Sequence, residues 1–171
     1  PRIIMSSISP FGQTGPYKDF ESTDLVSMAM GGYLFTTGDE DRPPVRISFP
    51  VSYCHAGSEA AASAMMAHWY RERTGEGQHI DISMQECVVW TLMNTTAHWN
   101  LNENNISRAG STRVNPTTGV ATKGMWPTKD GYITFNIVGG PARAAGMRYL
   151  VNWMDEYGMA SDSVSYTHLT L

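Results

Sequence analysis

Hydrophobic and polar positions change period several times along this chain, and the changes divide it into strands, helices and turns. Residues 2–9, RIIMSSIS, carry an alternating strand-like pattern. Asp24 to Met30 reads as a short helix, with Ser22 or Thr23 as its N-cap and Gly31-Gly32 as its stop. Residues 36–46, TTGDEDRPPVR, are acidic, polar and Pro-rich, which predicts an exposed loop running into a short strand at Val45 to Phe49. Ser58 to Arg73 is rich in alanine and predicts a helix with a small-residue face for close packing, ended by Gly75 and Gly77, with cations in its last turn. His79-Ile80-Asp81-Ile82 then alternates as a strand. Ser83-x-x-Glu86 fits a capping box opening a helix through Val88, Val89 and Leu92 toward Trp99.

Asn100 to Pro116 is polar and predicts a linker or boundary. Beyond it, Thr122 to Trp126 and Lys129 to Ile137 read as two strands joined by an Asp130-Gly131 turn, a strong hairpin signal. Gly139-Gly140-Pro141 begins a loop, and Ala142 to Gly158 reads as a helix that Gly146 weakens. The order predicts an α/β fold: residues 1–99 as one domain, 100–118 as a linker and 119–162 as the beginning of a smaller α+β domain. The tail is different. Ser163 to Leu171 resembles a translated cloning adapter and is expected to be non-native sequence.

Size and charge narrow the function. The 171 residues could bury a sizeable core, yet the chain opens on a strand pattern without a Met, as expected for a piece of a longer protein. A net charge of −4 with scattered Lys and Arg gives no footprint for nucleic acid or an anionic membrane. No apolar run approaches the ~20 residues that span a bilayer. Cys54 and Cys87 form no C-x-x-C pair and no signal-like segment precedes them, so a reduced, cytoplasmic protein is expected.

Few residues offer chemistry. Gly12, Gln13 and Thr14 lie in a loop at a strand end, where glycine permits close backbone approach and the amide and hydroxyl suit a polar ligand; a Gly-Pro turn that merely reverses the chain is the alternative. Asp24 is a candidate ligand contact, although a first-turn partner for a helix dipole is the simpler reading. Asp39-Glu40-Asp41 are adjacent and lack the alternating spacing of a calcium loop, and no His or Cys pair has zinc-like spacing, so no metal is expected. Cys54 and His55 are neighbours whose side chains diverge, which makes a core thiol and a packed imidazole the simpler reading. His68 and His98 also read as packing residues, and Lys129 and Arg113 as solvated charge rather than phosphate contacts.

Three segments together resemble the class III CoA-transferases, the carnitine/formyl-CoA transferase-like family: Ser9 to Tyr17, SPFGQTGPY; Pro50 to Glu86; and Lys129 to Ile133, KDGYI. The resemblance runs from about Ile3 to Tyr157. It implies the later part of a Rossmann-like large domain followed by the start of the small domain, in an interlocked homodimer or a heteromer with an Asp-containing homologue. It further implies transfer of coenzyme A between an acyl-CoA and a small carboxylic acid, with no metal, through a carboxylate that attacks the thioester. In the family pattern a Pro-Val-x-Asp segment enters the Ala-rich helix, and Tyr53 stands where that Asp should be. A phenol keeps its proton at neutral pH and does not replace a carboxylate nucleophile simply. Tyr53 is therefore expected to fill the pocket, to donate a hydrogen bond to a thioester carbonyl, or to mark a non-catalytic CoA-binding subunit. The racemase branch places a histidine base where Thr23 stands, and a threonine hydroxyl is too weakly basic to remove an α-proton.

Overall fold

The computed structural model describes residues 1–115, 119–136 and 141–159. Two compact units divide at Gly110/Ser111. The first contains strand β1 (Met5–Ser9), helix α1 (Asp24–Met30), a 3-10 turn (Leu34–Thr36), helix α2 (Val51–Thr74), strand β2 (His79–Ser83), helix α3 (Met84–Thr91) and helix α4 (Met93–Asn102). The second contains strands β3 (Thr112–Val114), β4 (Ala121–Lys123), β5 (Met125–Pro127) and β6 (Tyr132–Thr134), and helix α5 (Pro141–Glu156).

In the first unit β1 and β2 pair in parallel, Met5 opposite His79 through Ser9 opposite Ser83, with α2 in the crossover between them. A parallel pair needs such a long connection, and the Ala-rich segment supplies it. Ala56, on α2, packs with Ile82 of β2 and with Met84 and Cys87 of α3. The opposite end of α2 lies at the strand starts, where Arg71 donates to the Arg2 carbonyl at 3.4 Å and Gly77 N–H donates to Pro1 O at 3.0 Å. Helix α2 therefore runs antiparallel to both strands, with its N-terminus beyond their C-terminal ends.

Several boundaries follow the residues. Gly75 takes the left-handed conformation at φ 80° and its N–H closes onto Arg71 O, which stops α2 where the glycine is. Ser83 Oγ accepts from Glu86 N–H at 3.3 Å and starts α3. Asp130-Gly131 joins β5 and β6 as an antiparallel pair, with Trp126 opposite Ile133. Gly146 lies within α5 without breaking it.

Other expectations are corrected. Val45 to Phe49 forms no strand: Pro43-Pro44 precede it, Val45 N–H is spent on Thr37 O within the loop, and Arg46 turns toward Asp24. Helix α2 begins at Val51, seven residues before the expected Ser58. The helix expected to run to Trp99 breaks at Leu92, where Thr91 Oγ1 bonds back to Val88 O at 2.6 Å and draws that carbonyl toward a side chain. Thr23 occupies the N-cap position of α1 without a side-chain cap, while Ser22 Oγ shares a hydrogen bond with Ser27 Oγ. Cys54 is exposed rather than in the core, and His68 is half-exposed, bonded to Arg71. His98 is buried. The polar stretch after Asn100 contains the end of α4 and strand β3, which pairs antiparallel with β4. Gly139-Gly140 and the tail from Ser163 lie outside the described residues.

Candidate functional site

Two groups of residues gather beyond the C-terminal ends of β1 and β2, the edge at which α/β folds place ligands. The first follows β1 directly. Gly12 is buried with φ 84°, a conformation that glycine adopts without strain. Gln13 N–H donates to Asp81 Oδ2 at 2.8 Å, and a Cβ on Gly12 would stand 3.4 Å from the same oxygen. Gln85 N–H donates to Pro10 O at 3.0 Å, so β2 and α3 both hold the loop. Phe11, Tyr17 and Phe20 close it on itself, with ring centroids 5.2 to 6.5 Å apart. This fixed backbone leaves the side chains of Gln13 and Thr14 exposed.

The second group surrounds the first turn of α2. Asp24 is only 5% exposed. Its Oδ1 accepts from Ser52 N–H at 3.0 Å and from Ser52 Oγ at 2.8 Å. Its Oδ2 faces the half-exposed guanidinium of Arg46 at 3.4 Å. A buried carboxylate that keeps a cation and two donors is a satisfied group. Tyr53 follows Ser52 and is 48% exposed. Ala56, one turn on, packs against the end of β2 and the start of α3, which places residue 53 at the end of the helix beside the C-terminal ends of the strands.

The expected site residues thus fall into two places: Gly12, Gln13 and Thr14 on a strapped loop, Asp24 and Tyr53 at the α2 N-terminus. Asp24 touches the neighbour of Tyr53 rather than Tyr53 itself. Sequence reading missed Asp81, Ser52 and Arg46. Asp81 had a signal, a carboxylate inside an otherwise apolar alternation; Ser52 and Arg46 had none, because their partner lies 22 to 28 residues away.

One further titratable group is perturbed. Burial pushes the Cys87 thiol up, with Glu59 and Glu86 adding to the effect by repelling a thiolate. The thiol form suits its place in the packing cluster with Ala56 and Ile82. Among the described residues no group of three or more His, Cys, Asp or Glu is placed to hold a metal ion. No helix of the described residues is long and apolar enough to cross a membrane.

A family model described as CoA-transferase family III matches residues 1–163. The succinyl-CoA–D-citramalate CoA-transferase of Chloroflexus aurantiacus is 34% identical over 168 residues, which is 98% of this chain and 40% of that protein. Subunit BbsE of the succinyl-CoA:(R)-benzylsuccinate CoA-transferase of Thauera aromatica is 30% identical over 92% of this chain and 37% of its own length. Among solved structures, a CAIB/BAIF family protein from Brucella suis superposes with a TM-score of 0.72 at 26% identity, covering 98% of this chain and 42% of that one. The chain therefore spans about two fifths of the length of these relatives.

Proposed function

This chain belongs to CoA-transferase family III, and on that premise we propose that the protein it comes from transfers coenzyme A between an acyl-CoA and a small carboxylic acid, as a subunit of a larger assembly. The chemistry asks for a carboxylate that adds to the thioester carbonyl and expels the CoA thiolate to give a mixed anhydride; the thiolate then attacks the enzyme's carbonyl, releasing the donor acid and leaving CoA on the enzyme as a thioester for the acceptor acid to take up. The family pattern assigns this to a carboxylate at the position of Tyr53. The α2 N-terminus is a suitable place for it, since the positive end of the helix dipole favours developing negative charge. The loop carrying Gly12, Gln13 and Thr14 offers exposed amide and hydroxyl groups for the acid or the pantetheine amides. In this reading the first unit is a Rossmann-like portion of the large domain, residues 119 onward begin the small domain, and the assembly is cytoplasmic and interlocked.

Tyr53 is the observation that favours a second form of the same proposal. With a phenol at the reaction position, this subunit binds CoA and shapes the site while a homologue with an aspartate forms the covalent anhydride and CoA-thioester intermediates. The name of the Thauera relative, which is itself a subunit, supports a heteromer of this kind. The test is CoA exchange between an acyl-CoA and a free acid, with the full-length protein alone and mixed with an Asp-containing homologue encoded beside it. Exchange only in the mixture supports the non-catalytic subunit. Exchange by the protein alone requires Tyr53 or another group to do the chemistry, and no exchange or CoA binding in either arm contradicts the transferase reading.

A further inference from the structure

The first turn of α2 has a feature that Pro50 and Val51 cannot supply. Pro50 occupies the N-cap position and makes no side-chain cap. The initial N–H groups of a helix have no partner within it and need one from elsewhere. The partner of Ser52 comes from Asp24, 28 residues earlier, whose Oδ1 receives both the amide and the hydroxyl of Ser52. Both residues are buried, Ser52 completely, so water is a poor substitute. Asp24 Oδ2 also holds Arg46, which joins the loop before α2 to the same carboxylate.

We infer that Asp24 is a positioning residue that caps α2 from another segment and thereby fixes the backbone carrying Tyr53. The capping itself rests on geometry alone; its bearing on CoA transfer rests on the reading of residue 53 as the reaction position. Asp24 need not touch substrate, because both carboxylate oxygens already face protein donors. A one-turn error at this helix start would move residue 53, whereas the α2 body is held separately through Ala56, Ala67 and the Gly75 stop.

The isosteric variant separates the two links. In Asp24→Asn the retained oxygen still accepts from Ser52, while the charge that holds Arg46 is lost; Asp24→Ala removes both; Arg46→Gln removes only the ion pair. The experiment uses the full-length protein labelled with 3-fluorotyrosine, the Tyr53 resonance being assigned by Tyr53→Phe, together with amide hydrogen exchange. Asp24→Ala is expected to shift or broaden the Tyr53 signal and to speed exchange at residues 51–55 roughly tenfold, the scale of a lost cap, with residues 60–74 little changed. Asp24→Asn is expected to restore both signals toward wild type, and Arg46→Gln to leave both near wild type. Unchanged exchange and an unmoved Tyr53 signal in Asp24→Ala would overturn the inference, as would uniform acceleration across residues 1–110. If Asp24→Ala does not fold, an Asp24→Asn protein as perturbed as Ser52→Ala or more so overturns it instead, since the amide keeps the cap. Neither readout needs transferase activity, so failure here is distinct from failure of the functional reading.

Discussion

Gly31 shows how tightly single residues are constrained near the candidate site. It ends α1 in an ordinary helical conformation, yet a Cβ there would stand 2.5 Å from Val88 Cγ1 and 2.7 Å from Val88 Cβ. Val88 is fully buried and has no room to retreat. Gly31→Ala should therefore lose about 1–3 kcal/mol by overpacking, read as a lower midpoint in urea, and Val88→Ala in the same chain should recover part of the loss. Gly12 is constrained by its backbone, at φ 84°, while a Cβ there would meet Asp81 Oδ2 at an ordinary 3.4 Å contact, so Gly12→Ala should lose about 1–2 kcal/mol through the left-handed conformation, read as a lower midpoint in urea. The Cys87 thiol, raised by burial, ionises more readily in the unfolded chain. Above the ordinary thiol range the folded state then holds more protons than the unfolded one, and stability falls as pH rises, by no more than about 1.4 kcal/mol per pH unit. Below that range Cys87 makes no pH-dependent contribution. Denaturant melts of wild type and Cys87→Ala between neutral and alkaline pH should diverge in that sense.

Among the helices and strands, short-range chemistry was legible in the sequence and tertiary partnership was not. The Gly75 stop, the Ser83 cap and the Asp130-Gly131 hairpin were read from sequence because each is a local device, complete within a few residues. The early start of α2 was not, because its first turn is capped by a carboxylate 28 residues away. The missing strand at Val45 to Phe49 has the same origin: the apolar spacing suggested pairing, but the segment is held by Arg46 and by a bond within its own loop. Of the candidate site, the loop glycine was read from its place at a strand end and Tyr53 from the resemblance to the family pattern, whereas the packing of Asp81, Ser52 and Arg46 required the fold. The acidic loop itself is held by another distant residue. Arg108 donates to the carbonyls of Phe35, Asp39 and Arg42 at 2.9 to 3.3 Å and lies 5.4 Å from the Phe35 ring centroid. A lysine cannot span three carbonyls from one rigid fork. Arg108→Lys should expose residues 36–46 to limited proteolysis several-fold faster, with cleavage mapped by mass spectrometry, while α2 stays resistant.

Taken as a molecule, the first unit leaves large apolar side chains on its surface. Met5 and Ile8 on the parallel strand are half-exposed, as are Trp69, Trp90 and Trp99 on the helices. Parallel sheets are normally covered on both faces, and large exposed apolar areas mark contact surfaces. The chain spans about two fifths of its relatives' length, and on the proposed subunit reading further protein would cover these faces. These 171 residues expressed alone should accordingly bind a hydrophobic dye more strongly than the full-length protein does per molecule.

If residue 53 is the reaction position, as proposed, restoring a carboxylate there should restore covalent chemistry. The decisive experiment incubates the full-length Tyr53→Asp protein with an acyl-CoA, beside wild type, and searches by mass spectrometry for an acyl or CoA adduct on the peptide containing residue 53. An adduct is expected on the new carboxylate of the variant and none on Tyr53 of wild type. An adduct on Tyr53 in the wild-type protein, or a well-folded variant that binds CoA yet never acquires an adduct, would contradict this reading of the site.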